Sequence, residues 1–278
     1  MIQLIFFLFI ILFFIWPAFR RRMIRARRYK AIRTIEKERG SRVITLIHRQ
    51  EALSFLGFAF LKYIDIEDSE RILRAIRLTP EGTPIDLVMH TPGGLVLASE
   101  QIARALLKHK AKVTIIVPHH AMSGGTLISL AADEVLMDEN AVLGPLDPQL
   151  GQFYPASSIM EIPKHKPLEK MKDETLIYLD VAGKAIKQIE DLITEILTSK
   201  KIAIENARKI AKILSSGEWT HDYALTVDKL KEIGIDITPK IPTYFYDFME
   251  YYGQAPQQKP TVDYIPEPYP KREKEQKS

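Results

Sequence analysis

The chain has 278 residues, 46% of them hydrophobic and 27% charged, a balance that supports a packed core and excludes a wholly disordered protein. It contains no cysteine, which removes disulfides, thiolate metal sites and cysteine nucleophiles from consideration. The net charge of +4 is spread unevenly, because the run "RRRMIRARRYKAIR" from Arg20 to Arg33 carries much of the excess.

A basic run can meet nucleic acid or anionic lipid, and its neighbour decides between them. Residues 2–18, "IQLIFFLFIILFFIWPA", contain no charge. A helix of roughly 17 residues at about 1.5 Å per residue just spans a bilayer core. No basic residue precedes the run and arginines follow it, which is the reverse of a cleaved signal peptide. The sequence therefore predicts an uncleaved single-pass anchor over 1–19, with the arginines and the main domain in the cytoplasm. Residues 20–40 read as a basic helical stalk that stops at Gly40.

Next come "SRVITLIHRQ" as a strand and "FAFLKYIDIEDSERILRAIRLT" as a strand or bend entering a helix, with cap residues between Asp65 and Ser69. "PIDLVMHTPGG" is a buried strand closed by a glycine turn. "LVLASEQIARALLKHKA" is an amphipathic helix, and "AKVTIIVPHH" is another buried strand. "MSGG" opens a further helix, followed by a short strand in "DEVLMDENAVLGPLD". This alternation predicts a parallel sheet with helical crossovers. From Glu174 the chain is mainly helical, with a break near Ser199, and "EWTHDYALTVDKLKEIGI" adds a strand edge and a short helix. The domain is expected over 41–250. Residues 251–278, rich in Pro and Lys, read as a disordered tail.

Ser123, set on Gly124 and Gly125 between strand and helix, has two readings. Glycine can simply relieve crowding in the turn, or the serine can be a nucleophile beside free backbone N–H groups. "HTPGG" and "MSGG" end successive parallel strands, so their turns should lie side by side at one edge of the sheet. Two converging N–H donors beside a hydroxyl meet the needs of acyl transfer.

At these residues the chain resembles the Clp protease/crotonase superfamily, and within it the membrane-bound serine peptidases of the signal peptide peptidase A and serine dehydrogenase proteinase types. The text that carries the likeness runs "HTPGGLVLASEQIARALLKHKAKVTIIVPHHAMSGGTLISLAADEVLMDENAVLGPLDPQLG", with "LSSGEWTHDYALTVDKLKEIGI" as its closing turn and helix. The resemblance implies an α/β fold of the Clp protease/crotonase kind with a helical second half. It also implies Ser123 as nucleophile and the N–H groups of Gly94 and Gly124 as the oxyanion hole. A homo-oligomer, a peptide or protein substrate, and no cofactor or metal are likewise expected by resemblance; no nucleic-acid partner is expected.

The Clp pattern has a histidine about twenty-five residues after the serine, where this chain reads "GPLDPQLG". The departure points to the Ser-Lys dyad of signal peptide peptidase relatives, whose lysine falls within the window holding Lys164, Lys166, Lys170 and Lys172. Lys166, before Pro167 and beside His165, is the preferred base. His119 and His120 are the alternatives, His90 reads as packed near its turn, and His221–Asp222 reads as a turn and helix cap. Asp173–Glu174 and Glu190–Asp191 read as solvated helix faces rather than metal ligands. Two other functional classes share the features: a crotonase-like acyl-CoA enzyme, and an inactive membrane scaffold.

Overall fold

The computed structural model describes residues 15–48, 62–151 and 154–252. Helix α1 (Trp16–Arg39) ends at Gly40, whose φ of 63° suits glycine and whose N–H closes the last turn on Glu36 O at 2.9 Å. The chain then enters β1 (Arg42–Ile47). Helix α2 (Ile66–Arg77) starts on Asp65 with a reciprocal capping box to Asp68, so the cap legible in "DIEDS" is the one used. There follow β2 (Ile85–His90), α3 (Val96–Leu107), β3 (Val113–Val117), β4 (His120–Ala121), α4 (Gly124–Leu130) and β5 (Glu134–Met137).

Strands β1, β2, β3 and β5 form one parallel sheet in the order β1-β2-β3-β5. Their side chains alternate faces. Ile44, Leu46, Ile85, Leu87, Met89, Ile115 and Met137 face the larger core, with α3, α4, α6 (Asp173–Ser199) and α7 (Ile204–Ser215). Val43, Val88, Ile116 and Leu136 face the other side, where Ile35 of α1 and Phe245, Phe248 and Met249 of α9 (Tyr244–Glu250) cover them. Both faces are thus dry, which is why these strands read as nearly continuous apolar runs. Each fully buried Ile or Leu contributes about 1.5–3 kcal/mol. One carboxylate interrupts the apolar sheet: Asp86 is 1% exposed and receives Arg39 Nε at 2.5 Å, Arg39 Nη2 at 3.0 Å and the Ser41 hydroxyl. That pairing holds the guanidinium above its ordinary range and clamps the end of α1 to the sheet.

A second ladder of short pairings lies beyond the strand ends. Ile64 bridges Gly94, Thr91 bridges Ala121, β4 pairs in parallel with β6 (Val142–Leu143), and Leu143 bridges Leu225. Beyond β6, β7 (Gln149–Leu150) pairs with β8 (Tyr154–Pro155), and α5 (Ala156–His165) packs on the first half of α6 around Ala156, Ile159 and Ala182. Helix α8 (Val227–Glu232) starts on a Thr226 cap.

Among the described residues no helix is long and apolar enough to cross a membrane. The expected fold is therefore corrected in part: the mixed α/β architecture with its parallel sheet is present, and the transmembrane helix is not supported. Most of the expected anchor, residues 1–14, lies outside the described residues. So do the apolar segment before Lys62 and residues 253–278 of the expected tail.

Candidate active site

Ser123 stands between β4 and α4 with φ 47° and ψ −114°, a combination that an L-residue adopts only under strain. The sharp turn brings Ser123 and Gly124 directly against Gly93. A Cβ placed on Gly93 would lie 2.7 Å from Ser123 Cβ and 3.2 Å from Gly124 N. The turn around Gly93 and Gly94 and the turn after Ala121 thus touch through their main chains. A Cβ on Gly94 would meet Ile64 N and O at 2.3 Å, and one on Gly124 would meet Ser99 Oγ at 2.2 Å. Glycine is a steric requirement at Gly93 and Gly94, where main chain blocks a Cβ, and at Gly124 a Cβ would have to displace the Ser99 hydroxyl.

The direction of the Gly94 N–H follows from covalent geometry. Gly93 C=O accepts from Ile64 N at 2.7 Å, and in a trans peptide the next N–H points the opposite way. Gly94 N–H therefore turns away from Ile64. Neither Gly94 N–H nor Gly124 N–H donates to a backbone carbonyl among the described residues. Ser123, Gly94 and Gly124 all line one cleft of 1280 Å³. The structure thus brings together the serine and the two glycines expected from the sequence.

It does not bring Lys166 to them. Lys166 is the exposed residue that follows α5, Lys164 pairs with Glu161 at 2.7 Å in solvent, and Lys170 and Lys172 are exposed around the following turn. None of the four lines the cleft. Helix α5 and the turn after it direct these side chains to water. His90, His119 and His120 pack their rings together instead, His90 lying 4.1 Å from His120 and 5.5 Å from His119. Burial, then the neighbouring His119, holds His120 below the ordinary histidine value. These three residues do not line the cleft either.

Two histidine–carboxylate pairs do. His221 Nδ1 lies 2.7 Å from Asp147 Oδ1, and Asp147, 1% exposed on its side chain, also receives Gln149 Nε2 at 2.7 Å. With Nδ1 donating to the Asp147 carboxylate, a neutral His221 imidazole has its Nε2 left as an acceptor. His48 is the other: its Nδ1 lies 3.0 Å from Thr91 Oγ1 and its Nε2 lies 3.1 Å from Asp68 Oδ2, with the side chain 7% exposed. Both His48 nitrogens are committed, whereas His221 has one to offer.

Reading by sequence missed Asp147 and took His221 for a turn residue. One signal was present: "GPLDPQLG", noted for its lack of histidine, holds an aspartate instead. The Leu143–Leu225 bridge is what draws that aspartate and the late "WTHDY" turn together. Among the described residues, no group of three or more His, Asp or Glu side chains is arranged to hold a metal ion.

A family model described as ClpP-like SDH-type serine proteinase matches residues 1–278. The chain belongs to this family. Two uncharacterized proteins of Methanocaldococcus jannaschii are similar to it. One is 59% identical over 273 residues, covering 98% of this chain and 92% of its own length. The other is 50% identical over 252 residues, covering 91% of this chain and 87% of its own length. Among solved structures, a mutant of the 1510-N membrane-bound stomatin-specific protease aligns with a TM-score of 0.45 at 17% identity, over 68% of this chain and 79% of that one.

Proposed function

We propose that this member of a serine proteinase family cleaves peptide bonds with Ser123 as nucleophile, His221 as general base and Asp147 as its orienting carboxylate. The observation that carries the reading is the Asp147–His221 pair lining the same cleft as Ser123, Gly94 and Gly124. Ser123 Oγ attacks the substrate carbonyl carbon while its proton passes to His221 Nε2. Asp147 stabilises the imidazolium through Nδ1–H. Gly94 and Gly124 donate to the oxyanion. The tetrahedral adduct collapses as His221 hands the proton to the departing amine, leaving an acyl-enzyme that water hydrolyses by the same route. This assignment replaces a lysine base with a histidine one, because the candidate lysines are hydrated outside the cleft.

The uncharged run 2–18 and the arginines after it support a single-pass cell-membrane anchor with the peptidase domain in the cytoplasm. Assembly into a homo-oligomer is part of the same proposal, resting on resemblance alone. The test is labelling by a fluorophosphonate probe together with peptide cleavage, in the full chain and in Ser123→Ala, His221→Ala and Asp147→Asn. Labelling confined to chains that retain Ser123, and loss of turnover in all three variants, is the expected result. A full chain that is neither labelled nor active would favour a crotonase-like enzyme or an inactive scaffold. Full turnover in His221→Ala would remove the base assignment.

A further inference from the structure

The second histidine–carboxylate pair has no part in the chemistry above, yet it lines the same cleft, with His48 buried and Asp68 half-buried. Its hydrogen bonds run in one direction. Asp68 receives the N–H of Asp65 at 3.2 Å as well as His48 Nε2, and its own N–H donates to Asp65 Oδ1 at 2.9 Å, so the carboxylate is fixed by the cap of α2. Burial pushes the Asp68 carboxyl up, but the His48 and Asp65 hydrogen bonds outweigh that and hold it below its ordinary range. An ionised Asp68 accepts only, so Nε2 carries the His48 proton and Nδ1 becomes an acceptor. Thr91, fully buried, gives its hydroxyl proton to Nδ1, and its oxygen accepts the N–H of Gly93 at 3.2 Å. With the proton on Nε2, each polar atom of this relay has a partner.

The chain ends on the peptide whose orientation matters. Gly93 is held at its N–H by Thr91 Oγ1 and at its C=O by Ile64 N, and the Gly94 N–H direction follows from that second bond. Gly93, at φ 100°, and Gly94, at φ 157°, have no Cβ to stiffen them, so side-chain hydrogen bonds must do so. We propose that Asp68, His48 and Thr91 form a relay that positions the Gly93–Gly94 turn for oxyanion binding, acting through the main chain without touching the substrate. The inference rests on the catalytic reading of Ser123.

Two nearly equal substitutions separate positioning from mere packing. An Asn side chain carries an oxygen near the place of Nδ1, whereas Gln reaches toward the place of Nε2. His48→Asn should therefore keep an acceptor for Thr91, while His48→Gln should serve Asp68 and give up Thr91. The full chain should lose kcat by about 10- to 100-fold in His48→Gln and in Thr91→Val, short of losing a donor outright. KM should move by less than about threefold, because the ground state leans little on the donors. His48→Asn and Thr91→Ser should stay within about threefold of the original kcat. Inhibition by a peptide boronate, whose tetrahedral adduct sets an oxygen against the same donors, should weaken by the factor that kcat falls. Thr91→Val keeps the methyl that packs toward Gly125; should it fail to fold, the His48 pair carries the test. Equal kcat in His48→Asn and His48→Gln, or a loss that follows melting temperature and leaves boronate affinity unchanged, would overturn the relay. If Ser123→Ala still cleaves, the catalytic reading falls first. If it does not, while Thr91→Val keeps full kcat, the relay alone falls.

Discussion

The backbone at Ser123 makes an unusual stability prediction. With φ 47° and ψ −114°, the residue occupies a region where a Cβ collides with its own main chain. Such positions cost about 1–3 kcal/mol and persist only where the surroundings enforce them. Ser123→Ala removes the hydroxyl and keeps the Cβ, so the strain stays. Ser123→Gly removes both. Glycine also loosens the unfolded chain, which costs about 0.4–1 kcal/mol. The balance favours Ser123→Gly over Ser123→Ala by about 0.5–2 kcal/mol, the reverse of the ordinary order. In a domain of this size that difference raises the melting temperature by roughly 2–6 °C. Urea titrations of the two variants at unchanged m-value, with thermal melts beside them, measure it. Both variants should be inactive toward peptides. A glycine variant less stable than the alanine variant would show that the turn is not strained, and with it the idea that the fold spends stability to aim this hydroxyl would fail.

Gly94→Ala should cut kcat on the order of 10²–10³-fold in a peptide assay, because its Cβ falls 2.3 Å from Ile64 N and O and displaces the N–H donor. Asp147→Asn should leave the fold intact by circular dichroism and lower turnover by several orders of magnitude, since an amide can hold the imidazole in the wrong tautomer. Lys166→Met should keep full turnover; a collapse of kcat in that variant would restore the lysine base. His120 is predicted to make the fold acid-sensitive. Its folded value lies below the ordinary 6.5, so its stability contribution is complete above that pH. It is lost as pH falls from there through the lowered value, because the unfolded chain takes the proton more readily. Urea midpoints across this window should be flatter in His120→Gln.

The parallel sheet was legible because both of its faces are covered, which leaves β2 and β3 as apolar runs that no other element explains. The glycine turns were legible for a steric reason, since contact between two main chains admits no other residue. The proposed base was hard to read because its parts are local commonplaces. Asp147 sits in a proline loop, His221 in a turn, and their meeting depends on a tertiary bridge between Leu143 and Leu225. The lysine window rested on distance along the chain, which matched a known pattern, whereas α5 carries Lys164 and its neighbours into solvent. His48 gave no signal at the end of its strand, where a polar residue usually means only that the strand is over.

The backbone contact between the two turns has a thermal consequence. Warming loosens side chains first, as rotamers begin to interconvert, whereas packed main chain keeps its spacing until the surrounding structure opens. Gly93 rests on the Met122–Gly124 main chain, and the side chains that hold its turn, Thr91 and His48, are themselves buried, so the jaw of the cleft softens only when the surrounding structure opens. Cleavage should therefore climb with temperature along a single straight Arrhenius line and break off abruptly at melting, with no gradual decline beforehand.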